Sequence, residues 1–170
     1  MNRRQAIQQL SIMGLGLTLY PGCKIEEVPD YARVPLDGRN YKTFREVSEA
    51  VLPVDHIVYT TPEPRSEFIL TILNDCTSDE EIQKYLMGLQ SLESYLSKNN
   101  KEKLGKLTNA ELDEIFAFME NSKADDENLF FFYQTTKNLA RQHFTGCEKF
   151  MTEELKYEFV PGRYIGCAAV

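Results

Sequence analysis

Three kinds of pattern are missing from this 170-residue chain, and each absence excludes a class of chemistry. The one close glycine pair is Gly14-Leu15-Gly16, so no glycine-rich turn of the kind that cradles a dinucleotide or nucleoside phosphate is present. No flavin or nicotinamide site is therefore expected within the chain. The four cysteines never form C-x-x-C, which removes both a zinc knuckle and a c-type haem attachment. No run alternates apolar and polar residues long enough to build a sheet, so the expected fold is all-α. Basic residues are also in short supply: 19 Lys and Arg face 26 Asp and Glu, and a net charge of −7 argues against nucleic acid as a partner. The longest apolar run falls well short of the roughly 20 residues a spanning helix needs.

What is present begins at the N-terminus. Arg3 and Arg4 precede a short apolar run from about Ile12 to Leu19, and Gly22-Cys23 follows. A positive start, an apolar middle and a small residue before a cut are the parts of an export signal. The arginine pair resembles a twin-arginine signal, which sends folded proteins across the bacterial inner membrane. A cysteine closing the run after a small residue resembles a lipoprotein signal, in which the thiol takes a lipid and becomes the new N-terminus. The expected address is thus the periplasmic face of the cell envelope, with a lipid anchor on Cys23. Cutting before Cys23 removes 22 residues and leaves 148. That is one ordinary domain, able to bury about 68–70% of its unfolded surface. The expected organisation is a signal over 1–22, a tether over 23–41 and a helical domain over 42–170.

Along the domain, Asn40 or Thr43 is positioned to cap a first helix that Pro53 stops, with Phe44, Val47, Ala50 and Val51 on one face. Pro53 to Pro64 holds three prolines and has no period, as in a binding loop or wrapped connector. Helical spacing returns from Arg65 to about Cys76. Ser78-x-x-Glu81 is a capping box opening the longest helix, to about Lys98, and Thr108-x-x-Glu111 is a second. The latter helix turns Leu112, Ile115, Phe116 and Met119 inward. Asn128 to about Phe144 carries Phe130, Phe131, Phe132 and Tyr133, too apolar all round for one wet face. A further short helix is expected over Cys147 to Leu155.

Candidates for chemistry are few. His56 beside Asp55 has the make-up of a base or metal ligand, although a loop histidine bonded to its neighbours is the simpler explanation. His143 reads as a satisfied core residue. Glu80-Glu81 and Asp125-Asp126-Glu127 stand where helices start and answer the helix dipole. The tail is more distinctive. Tyr157, Phe159, Pro161, Gly162, Arg163 and Tyr164 put large rings and an arginine on irregular backbone, and such rings must pack against the body or a partner. In an oxidising compartment Cys147 and Cys167 would close a loop of about 20 residues, worth roughly 3 kcal/mol on the chain-entropy model. Cys76 with Cys167 is an equal geometric alternative.

Val51-Leu52-Pro53-Val54-Asp55, the Phe131-Phe132 helix, Phe144-Thr145-x-Cys147-Glu148 and the ending Leu155-x-Tyr157-x-x-Val160-Pro161-Gly162-x-Tyr164-x-Gly166-Cys167 resemble the gluconate 2-dehydrogenase subunit 3 family. The resemblance runs from about Thr43 to Cys167. It implies a small helical accessory subunit, non-catalytic alone, of an exported membrane-associated dehydrogenase that oxidises a sugar, sugar acid or alcohol. It also implies that FAD sits in a separate flavoprotein large subunit, and that electrons pass to a cytochrome c subunit carrying haem. On this reading the chain matures the large subunit and supplies the export signal for both. The tail, Tyr157 to Cys167, is the expected grip on that partner. A free-standing membrane-anchored lipoprotein with a structural or ligand-binding role is the alternative.

Overall fold

The structure is a computed structural model and describes residues 29–52, 61–101, 104–158, 160 and 162. Five α-helices account for most of it: α1 (Gly38–Ala50), α2 (Arg65–Cys76), α3 (Asp79–Lys98), α4 (Asn109–Asn121) and α5 (Glu127–Thr145). Short 3₁₀ turns at Leu104–Lys106 and Ser122–Ala124 connect α3 to α4 and α4 to α5. No strand occurs among the described residues, and the all-α expectation holds.

The helix starts follow local chemistry. Ser78 and Thr108 each accept a bond from the amide three residues on while Glu81 and Glu111 reach back, completing both capping boxes. These bonds hold the Glu81 and Glu111 carboxyls below their usual range. Asp126 caps α5 by accepting from the Leu129 amide at 2.9 Å. At α1 the cap is Asp37, which accepts from the Arg39 and Asn40 amides at 2.9 and 2.8 Å. The helix therefore begins before Asn40 and Thr43, the residues expected to cap it.

The stretch expected to be a tether, 23–41, is folded onto the body from Tyr31 onward. Val34 is 2% exposed and Tyr41 lies buried within α1. The Tyr31 hydroxyl reaches the Glu67 carbonyl at 3.3 Å and Thr71 Oγ1 at 3.2 Å. Arg33 donates to the Asn74 and Thr77 carbonyls at the end of α2 and to Asp79 at the start of α3. One guanidinium thus joins a helix C-terminus, whose dipole favours a cation, to the Asp79 carboxylate at the start of the next helix.

The core lies where α3 and α5 run against each other, with α4 on one side and α1 and α2 on the other. Phe44, Tyr85 and Phe132 form a buried aromatic column, with Tyr85 6.5 Å from Phe44 and 4.8 Å from Phe132 between centroids. The Tyr85 hydroxyl is buried against Thr136 Oγ1 at 2.7 Å, and Thr136 donates onward to the Phe132 carbonyl at 2.8 Å. Burial raises the Tyr85 pKa, so the phenol stays protonated. The two helices are in close contact at Gly88, where a Cβ would stand 2.6 Å from Phe132 Cβ and 2.8 Å from the Asn128 carbonyl carbon.

Two expectations need correction here. Helix α5 does have a wet face: Lys137, Asn138, Arg141 and Gln142 are exposed in its second half, opposite the buried Thr136, Ala140 and His143. In α4, Ile115 and Met119 are buried, whereas Leu112 and Phe116 are only partly covered. No described helix is long and apolar enough to cross a membrane.

Candidate functional site

One end of the bundle is built differently from the rest. Leu52 follows the end of α1, and the chain is described again from Thr61 through Pro62, Glu63 and Pro64 into α2. Arg65 is the first residue of α2, where the helix dipole disfavours a cation. Its side chain instead turns back under α1. Nη1 donates to the carbonyls of Ser48, Glu49 and Leu52 at 2.9, 3.1 and 2.9 Å, and the Glu49 carboxylate lies 3.8 Å away. The guanidinium closes the C-terminal end of α1, satisfying carbonyls that have no partner within the helix. The side chain is 2% exposed, and burial lowers its pKa, opposed by Glu49. Its Nε is buried without a hydrogen-bond partner.

His143, near the end of α5, fixes the same segment from the other side. Its Nε2 lies 3.1 Å from the Glu63 carbonyl, an acceptor, so the neutral ring carries its proton there. The ring packs on Phe68 with centroids 5.1 Å apart. Burial lowers the His143 pKa and the Arg65 charge adds to the effect, against the Glu63 carbonyl bond and the Glu63 and Glu49 charges. His143 is the satisfied, buried residue its sequence position suggested.

Three residues later Gly146 ends α5 and the chain doubles over. The Cys147 amide donates to the Phe144 carbonyl at 3.2 Å, and the Cys147 thiol is buried beside the Phe150 amide at 3.5 Å. Phe150–Glu154 forms a π-helical turn, closed by Leu155 N–H to the Phe150 carbonyl at 3.1 Å. The expected short helix is therefore present but wound wider. Lys156 then takes a left-handed backbone, φ 54°, and Tyr157 bonds back to the Met151 carbonyl at 2.9 Å. π-helical turns recur at functional sites.

Between these two constructions lies a cleft of about 880 Å³. Thr61 and Pro62 form one wall; Gly146, Cys147, Met151, Thr152 and Tyr157 form the other. Tyr157 in that wall is 50% exposed, and two further large apolar residues that do not line the cleft, Leu155 and Val160, are 57% and 78% exposed. Isolated exposed apolar residues need no explanation; here three fall within six positions of the chain.

Of the expected tail residues, Tyr157 lines this cleft and Gly162 is exposed with open space about it. Phe159, Pro161, Arg163 and Tyr164 lie outside the described residues, as do Arg3, Arg4 and Cys23 of the signal, Asp55 and His56 of the loop, and Cys167. Cys76 is exposed, Cys147 is buried, and both carry free thiols. Thr61 and Pro62 belong to the Pro53–Pro64 stretch expected to be a binding loop or wrapped connector, whereas sequence reasoning missed the Arg65 clamp. The one available cue was an arginine at the first position of a helix, on the wrong end of its dipole.

The cleft's glycine, Gly146, closes the C-terminal end of α5, where carbonyls face outward. No group of three His, Cys, Asp or Glu among the described residues is placed to hold a metal ion. What the geometry offers is an apolar recess with half-exposed rims, suited to binding.

A family model described as gluconate 2-dehydrogenase subunit 3 matches residues 39–162, from the first turn of α1 to beyond the cleft. No curated protein and no solved structure matches the chain.

Proposed function

The chain belongs to the gluconate 2-dehydrogenase subunit 3 family, and from that premise we propose that it is a non-catalytic accessory subunit. It binds, matures and co-exports an FAD-dependent dehydrogenase subunit that oxidises a sugar, sugar acid or alcohol. The flavin belongs to that partner, and a cytochrome c subunit with its haem completes the electron path. The observation that carries the proposal is the end of the bundle: the family-matched segment finishes on a cleft with Leu155, Tyr157 and Val160 turned outward beside it. The tail residues Phe159, Pro161, Arg163 and Tyr164 follow or interleave with these positions in the sequence. Arg3 and Arg4 address the pair for export in folded form, and Cys23 anchors it to the membrane by a lipid.

Association before export gives the test. The full-length subunit is co-expressed with its flavoprotein partner subunit, and flavin absorbance is followed in cytoplasmic, periplasmic and membrane fractions. Changing Arg3 and Arg4 together to lysine is expected to leave both chains in the cytoplasm. Flavoprotein that still reaches the periplasm in that strain sinks the co-export reading. Cys23→Ser is expected to release the exported pair from the membrane fraction.

A further inference from the structure

We propose that Cys167 pairs with Cys147, and that the disulfide lays the segment from Tyr164 to Val170 along that wall of the cleft. The inference deepens the accessory-subunit reading and rests on its export step, because the cytoplasm keeps thiols reduced.

Position separates the two thiols that Cys167 could meet. Cys147 lines the cleft, is 4% exposed and is free. It shares its wall with Met151 and Tyr157. Cys76, also free, is the last residue of α2, and Arg65 is the first. At about 1.5 Å per residue the helix puts roughly 16 Å between Cys76 and the end that follows Thr61 and Pro62. A disulfide holds its Cα atoms about 4.4–6.8 Å apart, so a tail placed for one thiol is out of reach of the other.

The path of the chain selects Cys147. Lys156 takes its left-handed backbone, Tyr157 bonds back to the Met151 carbonyl, and the Tyr157 side chain lines the cleft. The backbone then bends at Val160 and again at Gly162. Tyr157 precedes Pro161 by four positions, and Cys167 follows Gly162 by five. A reversal centred on Pro161-Gly162 therefore has arms of nearly equal length. It returns Cys167 to the level of Tyr157, on the wall that holds Cys147. Reaching Cys76 requires a tail that leaves the cleft and runs the length of α2.

Composition agrees with that path. No charged side chain occurs from Tyr164 to Val170. Such a run gains by leaving water, and Pro62, Met151 and Tyr157 offer it apolar surface. Gly166 and Ala168, on either side of Cys167, are small and leave its sulfur room to approach a buried one. A tail pinned in this way is ordered before the flavoprotein arrives, which lowers the cost of binding.

The bond forms by thiol–disulfide exchange. The Cys147 and Cys167 thiols lose two protons and two electrons and become one S–S bond. A protein disulfide of an oxidoreductase in the export compartment takes them up and becomes a dithiol.

The test uses the full-length protein, fractionated from cells. Free thiols are alkylated under denaturing conditions without reductant, and the digested peptides are mapped by mass. The expected result for exported protein is Cys147 linked to Cys167 within one chain, with Cys76 alkylated. Exported protein with Cys147 and Cys167 both alkylated overturns the proposal. So does Cys167 linked to Cys76, or a linked pair that runs as a dimer without reductant. Protein found only in the cytoplasm overturns the export reading instead, and the purified chain treated with oxidised glutathione then decides the pairing: the same single link upholds it, and its absence overturns it. Cys167→Ser is expected to lower the melting temperature of the oxidised protein by roughly 5–10 °C and to leave that of the reduced protein unchanged. An equal effect in both states assigns Cys167 to packing alone and overturns the disulfide.

Discussion

Gly88→Ala is a substitution whose sign, and not merely its size, depends on the packing of α3 against α5. Away from contacts, alanine in a helix interior is favoured over glycine by about 0.8–1.0 kcal/mol, so an exposed Gly88 would make the variant more stable. In the structure the added methyl meets the Asn128 carbonyl and stands 2.6 Å from Phe132 Cβ and 2.8 Å from the Asn128 carbonyl carbon. Real carbons do not approach so closely, and neither neighbour is the free end of a flexible side chain. One helix must move away from the other, along the interface that buries Tyr85, Leu89 and Leu92 on one side and Phe132 and Thr136 on the other. Overpacking of this kind costs about 1–3 kcal/mol, and backbone contact puts Gly88 at the upper end. After the propensity gain, the net loss is about 2 kcal/mol. For a body of this size that lowers the melting temperature by roughly 5–10 °C. Thermal unfolding followed by circular dichroism measures it directly. An unchanged or raised melting temperature refutes the close approach of α3 and α5.

The clamp at the functional end yields two more expectations. Arg65→Met keeps the stem but withdraws the donor from the Ser48, Glu49 and Leu52 carbonyls, and should cost about 1–3 kcal/mol in urea unfolding; Arg65→Lys, with one compact donor group, should recover only part of it. His143 has a pKa below the ordinary imidazole value of about 6.5, so above that pH the ring is neutral in both folded and unfolded chains and its titration has no effect. As the pH falls further, the unfolded chain takes up the proton first, and stability declines until the folded ring also protonates. Melting temperatures at pH 7 and pH 5 should therefore fall further apart in the natural protein than in His143→Gln, and equal slopes would argue against the buried neutral ring.

How much of this was legible in the sequence depends on the range of the interaction. Helices α3 and α4 could be placed closely because their starts are local: Ser78 and Thr108 accept from amides three residues on, and the glutamates that answer them are in the same turn. The start of α1 was misplaced because its cap, Asp37, is followed by Gly38, a poor helix former that disguises the first turn. The apolar first half of α5 hid the exposed Lys137, Asn138, Arg141 and Gln142 of the second, where the helix runs past its cover. The candidate site was half legible. Tyr157 stood out as an aromatic on irregular backbone. Its counterpart across the cleft, Thr61–Pro62, lies far away in the chain and is positioned by His143 and Arg65 acting on backbone carbonyls. Main-chain acceptors have no residue identity, so bonds to them leave no pattern in a sequence.

The same arrangement separates stability from binding along the molecule. The aromatic column Phe44–Tyr85–Phe132 and the Gly88 contact lie in the body of the bundle and involve none of the cleft-lining residues. The cleft is attached to that body through two short connections: the turn at Gly146–Cys147, and the Thr61–Pro64 segment held by His143 and Arg65. A partner that fills the cleft touches both connections at once. Its binding therefore tightens the joint between α1, α2 and α5 without requiring the core to move, because whatever binds only the folded form stabilises it by mass action. An accessory subunit arranged in this way gains stability most at the end its partner covers, so hydrogen-exchange protection on complex formation should rise at 61–65 and 143–157 and stay level across the already protected middle of α3.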